Sequence, residues 1–261
     1  MSNISQMFQK LPKNFPNHIV PNYARFSDIK INPDTCPDKS LPITKLNLLD
    51  TTIYASQSPH KDTIAEFWQF VINNKISDII ALTPFNKNSD PYFLTTIGTC
   101  NYGNGNNKIS VGTLSITHYS ELGLVSKLND THLVTSGYVI FNLGLTFVNF
   151  SYHSVNVIQY FDWQTGGTPN LNIASLLNYS LSKVQESQNL LVHCSAGVSR
   201  TGTFLTLLYY SLSNNKGYEA VNNIISELRE KRSGSVVLNL TQYKFIICFL
   251  ECCYPNSFVI E

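Results

Sequence analysis

Charge is scarce in this chain. Asp, Glu, Lys and Arg supply 13% of its 261 residues, about half the usual share. Neither sign dominates: 18 Lys and Arg stand against 17 Asp and Glu, a formal net charge of +1. Charge alone therefore gives no footprint for nucleic acid or a membrane surface, although a local basic pocket stays compatible with it. Long apolar runs are missing as well. No run reaches the roughly 18 apolar residues of a membrane span, so none is expected. The segment Met1–Lys10 has no apolar core of signal-peptide length. A signal read by a dedicated secretion machine, delivering the chain into a host cell, would leave no trace in this test.

Cysteine spacing is equally bare. Cys36, Cys100, Cys194, Cys248, Cys252 and Cys253 include no C-x-x-C pair and no zinc-ligand spacing. No metal site is expected, and free thiols suit a reducing compartment such as the cytoplasm. Cys248, Cys252 and Cys253 lie in an apolar stretch and are expected as buried thiols on a helix.

What is present is core-forming material. Hydrophobic residues are 43% of the chain and aromatics 12%, which excludes full-length disorder and is enough for one large domain or at most two, with one domain over residues 1–261 expected. Neutral polar residues, Asn above all, fill the space left by charge, and we read this as a trace of genome composition. Residues 1–45 show little periodicity and read as extended chain and short turns, with 1–20 as a flexible or extended arm. Ile64, Phe67, Trp68, Val71 and Ile72 form the stripe of an amphipathic helix, followed by a buried strand over 76–83. A polar loop is expected over 86–108. Several antiparallel strands should follow to about Tyr160, with turn signals at Asn129-Asp130, Ser136-Gly137 and Asn142. Asn172–Gln185 should be helical, Leu190–His193 a short buried strand, and helices should span Thr201 to about Asn214, Gly217–Arg232 and Thr241–Cys253. The pattern predicts a single α/β domain with a twisted mixed sheet flanked by helices.

One segment carries chemistry: Val192-His-Cys-Ser-Ala-Gly-Val-Ser-Arg-Thr-Gly-Thr203. A buried strand ends in a cysteine, small residues follow, and a helix begins. Successive backbone amides in such a turn, Ser195, Ala196, Gly197, Val198, Ser199 and Arg200, can cradle an anion, and the helix N-terminus adds partial positive charge. Arg200 can offer two parallel N–H donors to a phosphate. The same field would keep Cys194 as thiolate, a nucleophile for phosphoryl transfer. Thr201 can donate to the sulfur when it must leave. Cys-x5-Arg alone would also suit a structural cysteine beside an unrelated arginine. With His193, Gly197, Thr201 and Gly202 all in place, that reading loses.

His193–Gly202 resembles the H-C-S-A-G-x-G-R-T-G signature of the classical protein tyrosine phosphatases, departing only at Ser199. Tyr54-Ala-Ser-Gln-Ser-Pro59 with Thr63-Ile64 and Phe67-Trp68, Ile79–Thr83, Arg229–Arg232 and Gln242-Tyr243 are similar to further segments of that family. The resemblance runs from about residue 20 to about 253. It implies the family's phosphotyrosine-phosphatase fold, with the phosphate loop at its centre and no cofactor. Cys194 then resembles the nucleophile that forms a phosphocysteine, Arg200 the phosphate clamp, and Thr201 the hydroxyl that eases breakdown of the intermediate. Gln242 resembles the glutamine that positions the hydrolytic water. His193 resembles the histidine that orients the loop, with an ordinary core histidine as the alternative. Tyr23 resembles the tyrosine that stacks on the substrate ring, with an ordinary tyrosine as the alternative.

The pattern breaks at the general acid. The family's W-P-D-x-G-x-P loop is matched by Tyr160-Phe-Asp-Trp-Gln-Thr-Gly-Gly-Thr-Pro169, which puts Thr165 where the family has aspartate. Asp162, three residues earlier, is the candidate replacement, or else caps a turn. The family's first loop glutamine is matched by Leu238. The expected function is hydrolysis of phosphotyrosine in a protein partner, with reduced activity and a role in signalling. The alternative is a pseudophosphatase that traps phosphotyrosine. A phosphoinositide phosphatase is disfavoured because positions 195, 196, 198 and 199 carry no charged side chain. The chain is expected as a monomer.

Overall fold

A computed structural model describes residues 2–21, 24–38, 40–83, 89–119, 137–147 and 152–258. In chain order its elements are helix α1 (Ser2–Lys10), strands β1 (Ile43–Leu48) and β2 (Thr51–Gln57), helix α2 (Ile64–Asn73), and strands β3 (Ile76–Ala81), β4 (Gly98–Tyr102), β5 (Ile109–Tyr119), β6 (Tyr138–Phe147) and β7 (Tyr152–Tyr160). Helix α3 (Ile173–Gln185), strand β8 (Asn189–Cys194) and helices α4 (Ser199–Leu212), α5 (Gly217–Lys231) and α6 (Leu240–Cys253) complete it.

All eight strands form one sheet in the order β1-β2-β8-β3-β7-β6-β5-β4. Its centre, β2-β8-β3-β7, is parallel, and both flanks are antiparallel. A parallel centre must be covered on both faces, which explains the unbroken apolar run of β8. Leu190 and Val192 pack with α3, α4, α5 and α6, whereas Leu191 points to the other face, into the cluster that holds Trp68 of α2. This strict alternation puts Cys194 on the face covered by α4. That helix is buried from Ser199 through Tyr210.

Four sequence expectations are corrected. Residues 2–10 are helical rather than extended. Ile4, Met7, Phe8 and Leu11 line one face, and the Phe8 ring lies 5.4 Å from that of Tyr243 on α6. So short a helix is marginal alone and is stabilised by docking. The hairpin β1–β2 begins at Ile43, at the end of the stretch read as extended chain, and runs on to Gln57, where no strand was predicted. Strand β4 occupies part of the expected polar loop over 86–108; as an edge strand with alternating half-buried and exposed residues it has no apolar signature. Asn142 lies inside β6, opposite Asn156, and donates to its Oδ1 at 3.0 Å rather than making a turn. Cys248, Cys252 and Cys253 are exposed, because α6 buries Tyr243, Ile246, Ile247 and Leu250 on its other side. The expected turn at Asn129-Asp130 lies outside the described residues.

Candidate active site

Strand β8 ends inside the protein, and its last residue, Cys194, is 1% exposed. The chain then turns through 195–198 into α4. Gly197 makes the turn feasible: its φ is +69°, and a Cβ there would lie 2.1 Å from the Ser56 carbonyl oxygen. The turn's carbonyls are held from outside. Ser58 N donates to Ser195 O at 3.1 Å, Val237 N to Val198 O at 3.3 Å, and Arg232 Nε to Gly197 O at 3.3 Å. Carbonyls drawn outward leave the amide side of the loop turned towards the sulfur, and Gly197 N donates to Cys194 Sγ at 3.3 Å.

These groups set the thiol. Burial alone would push Cys194 up, but the Arg200 guanidinium, the Thr201 hydroxyl and amide and the Gly197 amide outweigh it and hold the pKa below that of an ordinary thiol. Thr201 Oγ1 is buried and has no other hydrogen-bond partner. Arg200 is 3% exposed. Its Nη1 donates to Trp163 O at 3.1 Å and its Nη2 to Ser195 Oγ at 3.0 Å. One donor thus goes to the stretch after β7 and the other to the loop itself, and an anion's oxygens could take both over.

His193 is fully buried, and burial lowers its pKa to about 4, so it is neutral at physiological pH. Its Nδ1 faces Cys194 O at 3.4 Å and its Nε2 faces Tyr92 Oη at 2.8 Å. The consistent arrangement is Nδ1–H donating to the carbonyl and the Tyr92 hydroxyl donating to Nε2, since burial holds the Tyr92 phenol well above its ordinary range. Tyr92 falls in the stretch read as polar loop, and only the aromatic pair Tyr92-Phe93 there hinted at a core position.

Above the loop, Ala196 and Val198 pack with Ile29, Ile31, Cys36 and Phe26. Phe26 packs against this side of the loop and is a neighbour that sequence reasoning missed. The period-two pair Ile29 and Ile31, joined by the bridge Ile19–Ile31, is the signal that could have located this wall. Tyr23, the candidate for an aromatic wall, lies outside the described residues.

The stretch 162–170 closes over Arg200. Trp163 is buried and donates Nε1 to Gly167 O at 3.0 Å. Asn239 Nδ2 donates to Gly166 O at 3.0 Å, and Gln242 Nε2 to Gly167 O at 3.4 Å. Gln242 is fully buried. Its Nε2 also donates to Ser199 Oγ at 2.6 Å, and its Oε1 accepts from Leu238 N at 3.2 Å. Both ends of this side chain are thus engaged between α4 and the closing loop. Asp162 accepts from Asn170 Nδ2 across the neck of the loop, and Thr165 is exposed. Among the described residues neither side chain has a hydrogen bond to Arg200 or Cys194. The structure therefore brings together Cys194, Ser195, Ala196, Gly197, Val198, Ser199, Arg200, Thr201 and Gln242, and leaves Asp162 engaged elsewhere.

This arrangement has relatives. The family profile described as protein-tyrosine phosphatase matches residues 42–251. Rat tyrosine-protein phosphatase non-receptor type 20 is 28% identical over 205 residues, covering 73% of this chain and 42% of that protein. Tyrosine-protein phosphatase 1 of Dictyostelium discoideum is 30% identical over 167 residues, covering 58% of this chain and 30% of that one. A rat phosphatidylinositol phosphatase, PTPRQ, is 24% identical over 266 residues, covering 96% of this chain and 11% of that protein. The chain thus spans less than half the length of these curated relatives. Among solved structures, the Trypanosoma brucei protein tyrosine phosphatase TbPTP1 superposes with a TM-score of 0.79 at 20% identity, covering 99% of this chain and 93% of that one. The chain belongs to the protein-tyrosine phosphatase family. Its fold is the mixed α/β domain of those phosphatases. No helix among the described residues is long and apolar enough to cross a membrane.

Proposed function

We propose that the chain hydrolyses phosphotyrosine in a protein partner through a phosphocysteine intermediate, slowly at the leaving-group step. The Cys194 thiolate attacks phosphorus, the bond from phosphorus to the tyrosine oxygen breaks, and the phenolate leaves and takes up a proton. Water then attacks phosphorus, inorganic phosphate departs, and the Cys194 thiolate is restored. The amides of residues 195 to 200 line the cradle, Arg200 turns its two donors from Trp163 O and Ser195 Oγ to phosphate oxygens, and Thr201 steadies the departing sulfur. The Phe26 ring supplies the apolar wall. The observation that carries this reading is a buried cysteine held low in pKa beside a buried arginine at the end of the central strand. A thiolate nucleophile implies a reducing compartment and calls for no metal or organic cofactor, and the chain works as a monomer.

The slow step follows from the closing loop. A tyrosine phenolate has a pKa of about 10, and protonating such a leaving group is typically worth roughly 10²–10⁴-fold. Thr165 has no acidic proton near neutral pH, and the Asp162 carboxylate is engaged with Asn170. That pairing also favours a second reading, in which the chain holds phosphotyrosine more than it hydrolyses it. The uncharged side chains at 195, 196, 198 and 199 weigh against a phosphoinositide headgroup as substrate.

The test is phosphate release from a phosphotyrosine peptide, beside an aryl phosphate with a good leaving group and a phosphoinositide. The proposal expects turnover of both aryl substrates, faster on the good leaving group and abolished by Cys194→Ser. Tight peptide binding without release of phosphate from either aryl substrate would leave only the holding role. Preference for the phosphoinositide would overturn the substrate assignment.

A further inference from the structure

Two arginines near the end of α5 are buried, and only one is fully bonded. Arg229 is 1% exposed and donates Nε to Val236 O, Nη1 to Pro12 O and Nη2 to Val237 O at 2.9, 3.0 and 3.1 Å. It ties the N-terminal segment to the chain before α6. Arg232, the residue that caps the end of α5, is also 1% exposed. Its Nε donates to Gly197 O at 3.3 Å from beneath the phosphate loop, and its Nη1 donates to Thr44 Oγ1 of β1 at 3.0 Å. Its Nη2 is buried with no hydrogen-bond partner. Among the described residues Arg232 makes no ion pair.

A buried guanidinium without an anion is costly, so its surroundings should contain the compensating charge. We propose that Arg232 is a positioning residue, the second fixed positive charge of the site, whose counter-ion is the Cys194 sulfur and the phosphate carried on it. Burial lowers the Arg232 pKa to about 10, so it stays protonated at neutral pH. Its charge acts first on Cys36 and only second on Cys194, where Arg200 is the larger charge. Burial pushes the Cys36 thiol up, so that group stays neutral. The remaining groups facing Cys194 are Arg200 from α4, which supplies charge from above the loop, and His193 from β8, which is neutral. Arg200 has a second task, because its donors must turn to the substrate. Arg232 has none, and it holds its position through every step. The catalytic consequence rests on the proposed phosphocysteine reading; the effect on the free thiol does not.

The test reads the thiol directly. Alkylation of Cys194 by iodoacetamide is followed by peptide mass spectrometry across pH 5–8, which separates it from the exposed Cys248, Cys252 and Cys253. Arg232→Gln keeps an amide donor and removes the charge, Arg232→Lys keeps the charge and removes the fork, and Thr44→Val removes only the anchor. At pH 6 the Gln variant should alkylate about 3- to 10-fold more slowly than wild type, as expected for loss of a nearby opposite charge. The Lys and Thr44→Val proteins should stay within about twofold. The acid limb of kcat/KM should move to higher pH in the Gln variant alone. Equal alkylation in Arg232→Gln and wild type would overturn the proposal, and so would a loss in Arg232→Lys as large as that in Arg232→Gln. Arg232→Met, read beside its near-ultraviolet circular dichroism, repeats the test if the Gln protein does not fold. Alkylation that depends on Arg232 in a chain that releases no phosphate would sink the hydrolase reading and leave this one standing.

Discussion

The phosphate loop at 193–201 and the closing loop at 162–170 face each other across Arg200, yet they are held in opposite ways. The first joins a central parallel strand to a buried helix, and Ser195, Gly197 and Val198 each have their carbonyl clasped by a group from elsewhere in the fold. The second leaves Gln164, Thr165 and Thr168 exposed and is held mainly by side-chain donors to its Trp163, Gly166 and Gly167 carbonyls. The nucleophilic half of the proposed reaction is thus built into the core. The leaving-group half depends on a segment whose few polar ties can be exchanged at small cost. A chain can lose the acid there and still keep the cradle.

Attacking the rigid loop should give the largest effects. Gly197→Ala puts a Cβ against the Ser56 carbonyl at a backbone angle that L residues avoid. It should cost about 2–4 kcal/mol of stability and abolish alkylation of Cys194 at pH 6, measured by denaturant melts and mass spectrometry. A stable and reactive Gly197→Ala protein would erase the distinction between the loops.

Next comes pH. His193 is fully buried with a pKa near 4, below its ordinary 6.5. The unfolded chain binds a proton between these values that the native chain refuses, so stability falls as pH drops through that window. The loss can reach roughly 3 kcal/mol. Denaturation midpoints from pH 7 to 4 should show this slope, and His193→Gln should flatten it. Because His193 stays neutral, the acid limb of the proposed activity belongs to Cys194, whose pKa is held below that of an ordinary thiol, so activity is lost once the sulfur gains a proton.

The closing loop should answer more mildly and in the other direction. Thr165→Asp should raise turnover of a phosphotyrosine peptide by about 10- to 100-fold, with little change for an aryl phosphate that leaves without help. If both substrates respond equally, the loop acts on binding rather than on proton transfer. The smallest effect belongs to Asp162→Asn. With its carboxylate engaged by Asn170, the change should alter peptide turnover by no more than about threefold. A loss of a hundredfold would make Asp162 the acid and narrow the contrast between the loops.

Much of the site was legible from residues alone because it is local. His193 through Thr203 is one continuous segment, and a strand, a glycine turn and a helix start can be read in order along it. The central helices were legible for the same reason, since their apolar stripes repeat within a few turns. Edge strand β4, helix α1 and the three exposed cysteines were not. An edge strand buries too little to show a pattern, a helix of two and a half turns is set by its docking partner, and a cysteine's burial depends on which face of α6 meets the core. Gln242 was legible as a residue of interest, but its engagement with Ser199, Gly167 and Leu238 is a matter of packing.

By itself the sequence determined where the proposed nucleophile Cys194, Arg200, the glycine turn and Thr165 in place of an aspartate stand, all properties of short contiguous stretches. Tertiary structure alone decided what surrounds them. Tyr92 reaches His193 from 101 residues away, and Thr44 meets Arg232 across 188. Phe26 is brought against Ala196 and Val198 by packing, and only the neighbouring pair Ile29 and Ile31 hints at that wall. Buried side chains from distant segments meet only when the sheet and its two layers of helices are closed. Burial by these distant segments pushes the Cys194 thiol up, and Arg200, Thr201 and Gly197 from its own segment outweigh it.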